Sequence, residues 1–220
     1  MDKILQRDLP LVKIFLSFLL IVLSFLAFSS GLGNSWFSYF WLVFGGSLAF
    51  FISFGKNTVN LFDKPVHKPV KVYFKILIIT FSYSMIIGLI EQYIFGKGSI
   101  SSNASIAHVP WEFPFMILGE ELVSLYIFLA LWNKLKNLKY GYWIATVSSG
   151  LIFGLAHIPT YMAQSLPIAI LHVMILMGVN RIIFNISYSK TKSIWVPFLI
   201  HISFDTILII LTQLPHIPIK

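Results

Sequence analysis

Seven apolar runs, most of them long enough to cross a bilayer, leave this chain one class of fold. A spanning helix takes about 20 mainly apolar residues. The stretches 11–29, 36–54, 72–95, 113–132, 141–158, 166–184 and 193–214 fit that description, the fifth being the shortest. In hydrocarbon a helix pairs all of its own backbone polar groups. The prediction is an all-α, polytopic transmembrane helical bundle of about seven spans, forming one membrane domain over residues 1–220. The chain is 57% hydrophobic and 11% charged, where a soluble domain carries about a quarter charged residues. Lipid is its natural solvent. With no Cys, disulfides and Cys-ligated metals are excluded.

The connecting segments carry the expected punctuation: Gly31-Leu32-Gly33-Asn34, Pro65 and Pro69, the Ser-rich run 99–105, Pro159, and Ser187 to Ser193. The net charge of +8 does not point to nucleic acid, because the cations lie in short segments between apolar runs. It reads as topology. With the N-terminus inside, fourteen of the sixteen Lys and Arg fall on the inner side, Arg181 among them, and only Lys97 and Lys220 outside. Cytoplasmic loops carry this excess, so the expected orientation is N-in and C-out. The first run has the look of a signal peptide ending at Ala27-Phe28-Ser29, but it is long for one, and the charge alternation holds with it retained. Asn103-Ala104-Ser105 matches a glycosylation triplet on the outer side.

Against this apolar background five ionisable residues stand inside spans: Glu120, Glu121, His157, His201 and Asp205. Charges at membrane depth cost several kcal/mol and mark functional sites by default. Glu91, nearer the end of its span, reads as structural. Adjacent helical residues point about 100° apart, so one of Glu120 and Glu121 can face a reaction centre while the other reaches a neighbouring helix. Gly119 beside them permits close backbone approach. Phe153 and His157 share a face, as do His201 and Asp205. Asp205 can accept a ring N–H from His201 and set its tautomer. Gly154 and Ala156 leave room for a packed neighbour. At about 1.5 Å per residue, Glu120 lies roughly 10 Å and Asp205 roughly 13 Å from the outer ends of their spans, so a shared pocket is feasible. His172 in the sixth run can line it as a supporting residue.

Glu120-Glu121, Phe153-x-x-x-His157 and His201-x-x-x-Asp205, in this order on separate helices, resemble the CPBP family of CAAX-protease and bacteriocin-processing membrane proteins, also called Abi. The resemblance covers residues 113–210. It implies an intramembrane endopeptidase of a bacterial cell membrane acting on a peptide or lipidated protein substrate among membrane lipids. Glu120 would then be the general base, assisted by His157. His201 and Asp205 would bind the substrate carbonyl and stabilise the oxyanion, and Glu121 and Phe153 would support the pocket. The resemblance favours a metal-independent glutamate mechanism with no cofactor. A zinc site would instead draw on Glu120, His157 and His201. Many members continue the first motif as Glu-Glu-x-x-x-Arg, where this chain has Leu125, and often end the third in Asn, where it has Asp205. The glutamate pair thus needs a charge partner from another helix or an extra proton. Two further readings use the same residues: a bacteriocin immunity protein, and a proton-coupled transporter, the latter disfavoured by the lack of an internal repeat.

Overall fold

The structure, a computed structural model, describes residues 3–5, 8–33, 37–96, 111–161 and 165–213. The Asn103 triplet lies outside these residues. Each of the seven apolar runs falls on a helix: α1 Leu11–Ser29, α2 Phe40–Phe54, α3 Pro69–Phe95, α4 Phe113–Leu135, α5 Gly141–Ala156, α6 Leu166–Thr191 and α7 Trp195–Gln213. Five of them, α1, α3, α4, α6 and the second run extended over Phe37–Phe62, are long and apolar enough to cross a membrane; α5 and α7 are shorter apolar helices. No strand occurs among the described residues. The chain is an all-α membrane bundle.

The helices pack α1 on α2, α2 on α4, and α4 on α5 and α7. Helix α6 in turn packs on α5, α3 and α7, and α3 also meets α7. Of the five long helices α4 is the most buried, which puts its glutamate pair at the centre. Helices α1 and α3 expose apolar side chains such as Phe15, Leu19, Ile78 and Leu89, as a lipid-facing surface requires.

Small residues and hydroxyls hold the helices together, as expected where apolar burial gives no preference for protein over lipid. A Cβ added to Gly119 would lie 2.6 Å from Leu42 Cβ and 2.9 Å from the Val43 backbone nitrogen, so α4 meets α2 at backbone distance beside the glutamates. A polar ladder joins α1, α2 and α4. Ser17 Oγ donates to the Ala49 carbonyl at 3.0 Å, and Ser53 Oγ lies 2.9 Å from both Ser17 Oγ and the Tyr126 hydroxyl. Phe50 packs edge-on against Tyr126. At one end of the bundle Lys136 pairs with Asp8 at 2.6 Å and holds its carboxyl below the usual carboxylate range.

Helix α6 differs from expectation at its end and carries an irregularity in its middle. The sixth helix does not stop at residue 184 but runs to Thr191. Ser187 and Thr191 bond back to the carbonyls of Phe184 and Ser187, which lets a polar stretch stay helical while buried. Its middle, Val173–Gly178, is a π-helical turn. Tyr83 of α3 donates to the Ile175 carbonyl there at 2.6 Å.

Candidate active site

The glutamate pair divides its work. Glu121 is fully buried. Its Oε1 accepts from Arg181 Nη1 at 2.5 Å and from His201 Nδ1 at 2.9 Å. Glu120, one position earlier, keeps its side chain 18% exposed, with Oε2 3.8 Å from His201 Nε2. His201 therefore stands between the two glutamates, each facing a different ring nitrogen. Asp205 Oδ2 lies 3.5 Å from Nε2. The sequence suggested that Asp205 sets the His201 tautomer. In the structure His201 Nδ1–H donates its short hydrogen bond to Glu121, on another helix, and Asp205 faces the opposite nitrogen at ion-pair distance.

Arg181 is the largest departure. Counted from sequence among the inner-side cations, it is instead 1% exposed and lies within α6. It supplies the charge partner for which Leu125 leaves no local candidate. Its Nε and Nη2 both donate to Asn185 Oδ1 at 3.1 Å, and Asn185 Nδ2 donates to Ser149 Oγ on α5. The guanidinium carbon lies 5.7 Å from the ring centroids of Phe153 and Phe184. One signal for it was present in the sequence: an Arg inside an apolar run, with Asn four residues on, the spacing of a helical side-chain pair.

His157 lies at the end of α5. Its Nδ1 is 2.9 Å from the Phe153 carbonyl. A carbonyl only accepts, so Nδ1 carries a proton, and in the neutral tautomer this leaves the lone pair on Nε2. Phe153 packs on the His157 ring at 4.6 Å. Gly154 does admit a close neighbour, since a Cβ there would lie 2.5 Å from the Val173 carbonyl of α6. Ala156 does not; it lines the cavity instead.

That cavity has a volume of about 700 Å³, and Glu120, His157, Arg181, His201 and Asp205 all line it. Its remaining walls are largely apolar and draw on α1 and α3 as well, for example Phe25 and Met85. His172 and Glu91 line it too. They form a buried pair, with His172 Nδ1 2.9 Å from Glu91 Oε2 and the Tyr161 ring tilted against the imidazole at 4.5 Å. Glu91 is thus buried against the cavity rather than reaching an interface. Among the described residues no three His, Asp or Glu side chains gather as metal ligands would.

Residues 101–207 match the family model for type II CAAX prenyl endopeptidase Rce1-like proteins. The chain is also 29% identical over 135 residues to the "Putative membrane peptidase YdiL" of Bacillus subtilis (strain 168), an alignment covering 59% of this chain and 51% of that protein. The chain therefore spans about half the length of the curated relative it matches. No solved structure matches it. The matched residues contain all three motifs and the carboxylates that face the His201 ring nitrogens among the described residues, and segment 101–207 is thus similar to the Rce1-like type II CAAX prenyl endopeptidases, in keeping with the CPBP resemblance.

Proposed function

We propose that this chain is a membrane-embedded endopeptidase that cleaves a peptide or lipidated protein in the central cavity, with Glu120 as general base. The observation that carries this reading is the His201 ring, held by Glu121 at Nδ1 while Glu120 and Asp205 flank Nε2 at the cavity wall. Glu121 is committed to Arg181 and His201, which leaves Glu120 as the glutamate of the pair that can reach a water.

The chemistry runs as a base-assisted hydrolysis. Glu120 takes a proton from water, and the lone pair on His157 Nε2 orients that water from the α5 side of the cavity. The hydroxide adds to the substrate carbonyl carbon. His201, protonated on both nitrogens, donates Nδ1–H to Glu121 and Nε2–H to the new oxyanion, with Asp205 holding the ring. Glu120 then passes its proton to the leaving amine as the C–N bond breaks. A general base of this kind contributes about 10²–10⁴-fold, and one oxyanion donor about 10²–10³-fold. The largely apolar walls suit an apolar peptide or lipid-bearing segment arriving from the bilayer.

The test uses the full chain in lipid nanodiscs with quenched-fluorescence peptides, plain and prenylated, with and without a chelator. Wild-type protein cleaves at least one probe in both conditions. Glu120→Gln and His157→Ala each lose at least about a hundredfold in kcat. Cleavage that persists in both variants overturns the assignment, and loss of wild-type activity to the chelator overturns its metal-free form.

A further inference from the structure

Building on that reading, we infer that Arg181 is a positioning residue for the reaction: through Glu121 it holds His201 so that Nε2, rather than Nδ1, meets the substrate. Three linked observations bear on it. All three nitrogens of the guanidinium are engaged, Nη1 on Glu121 and Nε and Nη2 on Asn185. Asn185 is itself fixed by Ser149 Oγ, which donates to the Thr146 carbonyl. The fork is therefore anchored to the backbone of α5, the helix that ends at His157.

The flanking rings make the second. Phe153 lies over the guanidinium and against the His157 ring at 4.6 Å. Phe184 lies over the guanidinium and against the His201 ring at 5.2 Å. Arg181 is thus linked to both histidines of the site, each through one phenylalanine. The third is the sharing of one oxygen: Glu121 Oε1 receives both Arg181 and His201 Nδ1, while Oε2 is buried with no hydrogen-bond partner among the described residues. Removing the Arg181 donor frees the carboxylate to rotate or to take a proton, and His201 then loses its fixed acceptor.

A structural tie alone would not need this geometry. A buried ion pair is often replaceable by apolar side chains without loss of stability. Only a planar fork can bond Glu121 and Asn185 at once between two stacked rings. Where relatives carry arginine four residues after the glutamate pair, Leu125 is buried in the apolar core here. Arg181 delivers the charge from a different helix.

The experiment compares wild type, Arg181→Lys, Arg181→Gln and Asn185→Ala as full chains in lipid nanodiscs. The first readout is the ¹⁵N signal of the His201 ring over pH, assigned by its loss in His201→Gln. Arg181→Gln shifts the His201 titration midpoint and its Nδ1 signal; Arg181→Lys recovers part of the shift. Asn185→Ala, which leaves the ion pair and loosens the fork, moves both in the same direction by less. The second readout is turnover of the fluorogenic peptide: kcat falls about tenfold or more in Arg181→Gln with KM within about twofold, and its pH profile moves with the His201 titration. An unmoved His201 signal in Arg181→Gln, or in Asn185→Ala should the former not fold, overturns the inference while leaving the peptidase reading intact. An Arg181-dependent His201 signal in a protein that cleaves nothing sinks the peptidase reading and keeps the positioning role.

Discussion

Arg181 and Glu121 stand sixty residues apart in the chain, and Nη1 of the first donates to Oε1 of the second at 2.5 Å. The contact joins α6 to α4 through groups that are 1% and 0% exposed. A carboxylate buried there depends on these donors, and its second oxygen has no hydrogen-bond partner among the described residues. The pair therefore governs both the integrity of the bundle and the surroundings of His201.

Arg181→Leu leaves Glu121 as a buried charge lacking its counterion. Breaking a buried pair from one side costs about 3–5 kcal/mol, and the loss is read as a lowered midpoint of thermal unfolding in detergent. The double variant Glu121→Gln/Arg181→Leu, which removes both charges, recovers most of that loss. Equal losses in the single and double variants would show that Arg181 acts through packing rather than charge.

Much of this site was legible because ionisable residues are conspicuous in apolar runs. Glu120, His157, His201 and Asp205 line one cavity, as depth and helical spacing suggested. Arg181 was missed for a local reason. It lies near the end of the apolar window 166–184, and the polar continuation, Ser187 to Ser193, reads as a connecting segment. Hydroxyls that bond back to the helix keep that continuation ordered. The Glu121–His201 bond was illegible because it joins two helices, while Asp205, one turn from His201, was the partner that spacing alone can suggest. Glu91–His172 was hidden likewise, since its halves sit on α3 and α6.

The charge alternation survives the loss of Arg181 from the inner set, with thirteen inner cations against two outer. It predicts an N-in orientation that can be tested without background, because the chain has no Cys. A cysteine placed at Leu32, in the exposed turn after α1, is labelled by a membrane-impermeant maleimide in intact cells. Cysteines at Lys56 and Lys139 are labelled only after permeabilisation. Labelling of all three in intact cells, or the reverse pattern, rejects the orientation.

Two glycines of similar sequence context have opposite expected outcomes. At Gly154 an added Cβ meets the Val173 carbonyl at 2.5 Å and the Gly178 nitrogen at 3.1 Å, both backbone atoms that cannot swing aside. Gly154→Ala forces α5 and α6 apart, and overpacking of this kind costs about 1–3 kcal/mol. His157 follows three residues later, so the displacement carries it away from the cavity wall, and peptidase turnover falls along with the unfolding midpoint. At Gly88 of α3 the same Cβ meets nothing within 4 Å. Gly88→Ala removes a helix-interior glycine, a change that stabilises by roughly 0.5–1 kcal/mol. Thermal unfolding of the two variants side by side decides the matter: a Gly154→Ala protein as stable as wild type would mean that α5 does not pack on the π turn as closely as described.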